Sequence, residues 1–112
     1  MLKVYFEKDE MELTLRVMGH AGQANIGNDI VCSACSILAY TVAQLVKNAD
    51  EVGDLKYPPE IKLDSGDAVI SCIPTESTYC TILGIFMFAE VGYKLLAKNF
   101  PQYVDLKAFG TV

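Results

Sequence analysis

The sequence predicts an α+β fold, a two-layer sandwich in which a mainly antiparallel sheet carries two helices in the order ββαββαβ. Apolar and polar residues alternate near both ends of the chain and in its middle, and two long stretches between them have a helical period. The chain has 112 residues, 52% of them hydrophobic, which suffices for one core and predicts a single domain over 1–112.

Leu2, Val4 and Phe6 share one face of a first strand, with Lys3, Tyr5 and Glu7 on the other. A charged turn at Lys8 to Glu10 follows. Leu13, Leu15 and Val17 then alternate with Thr14, Arg16 and Met18, completing a hairpin. From Ile30 the period changes to that of a helix: Val31, Ala34, Cys35, Leu38, Val42, Leu45, Val46 and Ala49 form one stripe, with Asn28 or Asp29 as the expected N-cap. Gly53, Pro58 and Pro59 mark a loop. A second hairpin is expected from Ile61 to Leu63, a turn at Asp64-Ser65-Gly66-Asp67, and the run Ala68 to Ile73.

Pro74 and Thr75 lead into a second helix, Ser77 to Lys98, stopped by Asn99 and Pro101. Its charges Glu90, Lys94 and Lys98 are four apart and make one narrow polar line. Most of the remaining circumference is apolar, more than one sheet face can cover, so the helix is either central or packed on both its own sheet and another chain; with 52% hydrophobic residues, a homo-oligomer is expected. Cys72 and Cys80 are expected in the core, and Tyr103 to Phe109 alternates as a last strand.

Net charge is −5, and the basic residues are scattered singly, so no patch suited to phosphate backbones is present and no direct nucleic-acid partner is expected. The N-terminus meets charge too early for a signal peptide. The longest uncharged apolar stretch, Tyr79 to Ala89, is too short to span a bilayer. These features predict a cytoplasmic protein without a membrane partner, its four cysteines reduced.

Chemistry concentrates in GHAGQANIGNDIVCSACS, residues 19–36. Cys32 is expected in the first turn of a helix, where unpaired N–H groups and the helix dipole favour a thiolate. It sits at the edge of the apolar stripe, whereas Cys35 lies inside it and reads as core. His20, the sole histidine, follows a strand, and Gly19, Gly22 and Gly27 allow the intervening chain to fold back over the helix start. Imidazole beside thiolate is the minimal cysteine nucleophile with its base. Asp29 could cap the helix, orient His20 or contact substrate, and Ser36 lies one turn beyond Cys32 on the same face. Backbone N–H groups near Cys32 are candidate oxyanion donors.

Each residue alone has an ordinary reading: a structural cysteine, a loop histidine, a helix cap, turn glycines, a helix serine. Two other chemistries compete. Cys32-Ser33-Ala34-Cys35 is a CxxC at a helix start, as in thiol-disulfide oxidoreductases, although it follows a hairpin and not the first strand of a βαβ unit. A zinc site from Cys32, Cys35, His20 and Cys72 or Cys80 lacks a second spaced pair. No GK[ST] follows the glycines to make a phosphate loop.

The pattern GHAGxAxxGxDIVCxAxS resembles the signature of the ribosomal-processing cysteine protease Prp family; here it is Gly19-His20-Ala21-Gly22, Ala24, Gly27, Asp29-Ile30-Val31-Cys32, Ala34 and Ser36. The resemblance extends to chain length, the opening hairpin and the two helices. It implies a catalytic dyad of His20 and Cys32, with Asp29 and Ser36 associated with the active site and the segment bounded by Gly22 and Gly27 acting as a mobile cover. It further implies a homodimer that uses no cofactor or metal. The implied substrate is the precursor of the twenty-seventh large-subunit ribosomal protein, whose short N-terminal extension is cut after an aromatic residue and before a small one. One departure is Cys35, where the family commonly has valine; it fits a core role and leaves open a Cys32–Cys35 disulfide that would switch the enzyme off.

Overall fold

The structure, a computed structural model, describes residues 1–19 and 26–110, with the backbone alone for 26–29. Strands β1 (Leu2–Asp9) and β2 (Glu12–Met18) form the first hairpin, helix α1 (Ile26–Glu51) follows, and β3 (Glu60–Asp64) with β4 (Asp67–Cys72) forms the second hairpin. A single 3-10 turn, Glu76–Thr78, leads into α2 (Tyr79–Asn99), and β5 (Val104–Lys107) ends the series. The ββαββαβ order and the α+β class are therefore as expected. The sheet runs β3-β4-β2-β1-β5, antiparallel throughout except that β5 lies parallel to β1.

Strand alternation decides which sheet face is covered. Val4, Phe6, Leu13, Leu15, Val17, Ile70 and Cys72 all point to one side and are buried there. Helix α1 packs over β4, while α2 packs over β1, β2 and β5. The helices meet where Gly92 faces Leu38: a Cβ on Gly92 would lie 2.8 Å from a Leu38 methyl, so the missing side chain sets how closely the two axes approach. Tyr93, fully buried, donates its hydroxyl to the Cys35 carbonyl at 2.9 Å, fastening α2 to the half of α1 that carries the cysteines. Its ring meets Phe6 edge-on at 5.8 Å. Full burial of a side chain such as Phe86 or Leu13 contributes roughly 1.5–3 kcal/mol.

Several expectations are corrected. The first turn is shorter than predicted: β1 continues through Lys8 to Asp9, which pairs with Glu12, and Glu10 takes the left-handed conformation at φ 54°. The helix begins at Ile26, so Asn28 and Asp29 lie inside its first turn and not at its cap. Leu45 is exposed, its place on the buried face taken by Ala39 and Ala43, small residues that let α1 sit close to the sheet. Cys80 is exposed, because it lies on the outward side of α2.

Glu90 leaves the polar line altogether. It is 7% exposed, accepts the Phe109 backbone N–H at 2.7 Å and lies 3.3 Å from the Lys94 ammonium. A buried carboxylate needs such partners, and these fix the chain after β5 against α2, where the Phe109 ring packs on Phe6 at 5.3 Å. Both helices, over 30–51 and 76–99, are also long and apolar enough to cross a bilayer. The expectation from Tyr79 to Ala89 counted only uninterrupted uncharged residues. In this fold each helix has two apolar faces, one against the sheet and one outward, the outward one carrying Ile37, Met87, Phe88, Val91 and Leu95.

Candidate active site

A groove of about 430 Å³ opens between α1 and the end of the sheet where β2 finishes and β3 turns into β4. One wall is a single stripe of α1, Cys32, Ser36 and Tyr40, spaced four residues apart and therefore stacked on one face. The floor is apolar: Leu2, Val17, Ala39, Leu63 and Ala68, with Cys35 beneath. The opposite rim is the turn Asp64-Ser65-Gly66-Asp67, the same four residues the sequence marks as a hairpin turn.

Gly19 closes the end of the groove. Its N–H donates to the Gly66 carbonyl at 3.0 Å, so the residue directly after β2 is tied to the β3–β4 turn. Its φ is +96°, and a Cβ there would stand 2.6 Å from the Met1 carbonyl oxygen. Glycine is required on both counts. On the outer face of the sheet, Asp67 meets Lys62 at 3.2 Å and Arg16 at 3.6 Å, which steadies the turn from behind. The hydrogen bond to Asp67 raises the Lys62 ammonium pKa above its ordinary value. These pairs are solvent-exposed and add little stability.

The two cysteines of the CxxC differ. Cys32 is half-buried and faces the groove, whereas Cys35 is 3% exposed, and burial pushes its thiol up to about 11. Cys72 behaves as the expected core cysteine, its thiol pushed to about 12 by burial. All four are free thiols. Among the described residues, no three His, Cys, Asp or Glu side chains converge as a metal site would need, and His20, required by the zinc alternative, lies outside them.

Of the residues singled out in the sequence, Cys32 and Ser36 are brought together on the groove wall. His20 and Gly22 lie outside the described residues. Gly27 and Asp29 belong to the first turn of α1, with the Asp29 side chain outside the description. Because α1 starts at Ile26, Cys32 falls in its second turn. That corrects two expectations. The dipole effect is concentrated in the first turn, and backbone N–H groups at this depth bond to carbonyls four residues back, so the donors near Cys32 are already engaged. The sequence reading missed Tyr40 and the β3–β4 turn. Tyr40 continues the Cys32–Ser36 spacing by one more turn and was legible from that alone; the turn is brought to the groove only by the pairing of β4 with β2.

Comparison with known proteins agrees with this fold. A family model described as cysteine protease Prp matches residues 1–105. No curated protein sequence gives a significant match. Among solved structures, SMU.848 from Streptococcus mutans is 23% identical with a TM-score of 0.66, the alignment covering 96% of this chain and 92% of that one. The essential ribosomal processing protease Prp from S. aureus, in complex with a substrate peptide, is 17% identical with a TM-score of 0.68 over 97% of this chain and 99% of that one. The same S. aureus protease with a covalently linked product peptide aligns at 21% identity and a TM-score of 0.61. With the family model spanning nearly the whole chain, and a half-buried thiol on the wall of the groove, this protein belongs to the cysteine protease Prp family.

Proposed function

We propose that this protease removes the N-terminal extension of a large-subunit ribosomal protein precursor, the twenty-seventh, through a dyad of Cys32 and His20. The observation that carries the reading is that Cys32 opens onto the same groove that Gly19 lines, and Gly19 is the residue that delivers the chain to His20. In this mechanism His20 accepts the Cys32 proton and the thiolate attacks the scissile carbonyl carbon. The imidazolium then protonates the departing amine, leaving a thioester acyl-enzyme. Water, deprotonated by His20, hydrolyses that thioester and regenerates the thiol.

The apolar floor suits an aromatic side chain before the cut, since such a ring gains chiefly from leaving water. Ser36 and Tyr40 supply hydroxyls along the same wall. A net charge of −5 favours encounter with a ribosomal protein, which is expected to be basic. We further propose that the enzyme acts in the cytoplasm as a homodimer whose interface is the outward apolar face of the helices, where Phe88 is 81% exposed.

Mass spectrometry of the precursor after incubation with the enzyme is expected to show loss of the extension alone, with the new terminus directly after an aromatic residue. An unchanged precursor mass overturns the assignment. For the dimer, Phe88→Glu places a charge in the centre of the apolar face and is expected to lower the sedimenting mass from that of two chains to one. A variant that still sediments as a dimer would remove α2 from the interface.

A further inference from the structure

Strand β3 is the outermost strand on the side of the sheet where the groove lies, and among the described residues nothing pairs with its outer edge. The hairpin register decides which of its backbone groups are committed. Asp64 and Asp67 flank the two-residue turn Ser65-Gly66 and pair directly, so these two residues exchange hydrogen bonds. Antiparallel pairs alternate between bonded and non-bonded. Lys62 and Glu60 therefore also turn their N–H and C=O toward β4, while Leu63 and Ile61 turn theirs to the open edge. The side chains of Leu63 and Ile61 are half-buried against the core on the helix-covered face, and Leu63 forms part of the groove floor. A row of free backbone groups thus runs directly into the site that holds Cys32.

An open edge of this kind is a template for strand addition, in which main-chain hydrogen bonds give affinity and alternate side chains give specificity. Resting on the reading of Cys32 as the nucleophile, we propose that the substrate's extension binds as an added strand on β3, bonded through the backbone of Ile61 and Leu63, with its scissile segment continuing into the groove. Continuity favours the substrate as occupant: Leu63, Asp64 and Ser65 belong at once to the edge and to the groove wall. A second copy of this chain is disfavoured by the charged residues Glu60, Lys62 and Asp64 on the same strand, the usual device against edge-to-edge pairing. A peptide backbone is recognised here independently of its sequence, while the groove reads the side chains that enter it.

The test is a backbone N-methyl scan of a synthetic peptide spanning an aromatic–small junction of the kind proposed for the extension. Binding is measured by fluorescence polarisation to the Cys32→Ala variant, which cannot cut. Two methylated positions, two residues apart, are expected to weaken binding by roughly tenfold each, with the position between them near the unmodified affinity. Uniform tolerance, or losses at contiguous positions, overturns the added strand. The two readings fail separately: wild-type enzyme that leaves the unmethylated peptide uncut defeats the nucleophile assignment, whereas normal cutting with a flat methyl scan defeats only the pairing on β3.

Discussion

Cys32→Ala is expected to lower kcat/KM for the ribosomal precursor by at least about a thousandfold, and His20→Ala by a similar factor, because the two members of the proposed dyad would fail together. Cys35→Ala is expected to retain most activity. The contrast follows from where the two sulfurs lie. Cys32 faces the groove, whereas Cys35 is packed under it, beside the hydroxyl that Tyr93 gives to its carbonyl. Removing the Cys35 sulfur leaves a small cavity that costs about 1 kcal/mol and touches no reacting atom. Equal losses at Cys32 and Cys35 would instead support the thiol-disulfide chemistry that the CxxC spacing allows.

The same contrast has a pH signature. Burial disfavours the Cys35 thiolate, raising its value from 9.0 to about 11. The unfolded chain ionises more readily, so the contribution of Cys35 to stability is whole below pH 9 and is lost as pH rises toward 11. A resolving cysteine needs its thiolate, and at pH 7 only about one part in ten thousand of Cys35 is ionised. Alkylation of the native protein at pH 8, read by peptide mass spectrometry, is expected to label Cys32 and Cys80 while Cys35 and Cys72 lag until the chain unfolds. Rapid labelling of Cys35 in the folded protein would contradict its burial.

What the sequence made legible follows from periodicity. Alternation placed all five strands within a residue or two of their bounds, since a strand buried on one face writes that fact into every second residue. The helical stripe separated Cys32 from Cys35 for the same reason. Periodicity fails where a residue's setting depends on distant chain. Glu90 has the spacing of a surface charge, yet the chain after β5 returns to offer it the Phe109 N–H. The start of α1 was misplaced because Asn28 and Asp29 have cap chemistry, which first-turn residues share through their favourable charge or polarity near the helix N-terminus. The β3–β4 rim of the groove could not be read locally, because it reaches Cys32 only through the sheet order β3-β4-β2.

Gly19→Ala is expected to lower both stability and activity, and the comparison with Gly53→Ala separates the causes. Both glycines hold positive φ, +96° and +80°, so alanine at either site meets the strain of the left-handed region, on the order of 1–2 kcal/mol. Nothing lies within 4 Å of a Cβ at Gly53, whereas at Gly19 the Cβ would stand 2.6 Å from the Met1 carbonyl oxygen. Backbone cannot rotate aside as a side chain can. Either the start of β1 withdraws from β5, to which it is joined by the Leu2 N–H and the Tyr103 carbonyl at 2.8 Å, or Gly19 moves and loses its bond to the Gly66 carbonyl. The second route shifts the groove end from which the chain departs to His20. A misplacement of about 1 Å between a nucleophile and its base costs on the order of a hundredfold in rate. Gly19→Ala should therefore lose tenfold to a hundredfold in kcat, about 10–100 by that reasoning, and should melt below Gly53→Ala, which keeps wild-type kcat. If the two variants matched in both Tm and kcat, the close approach at Met1 would have no part in setting the site, and the route from β2 to the imidazole would have to be fixed elsewhere.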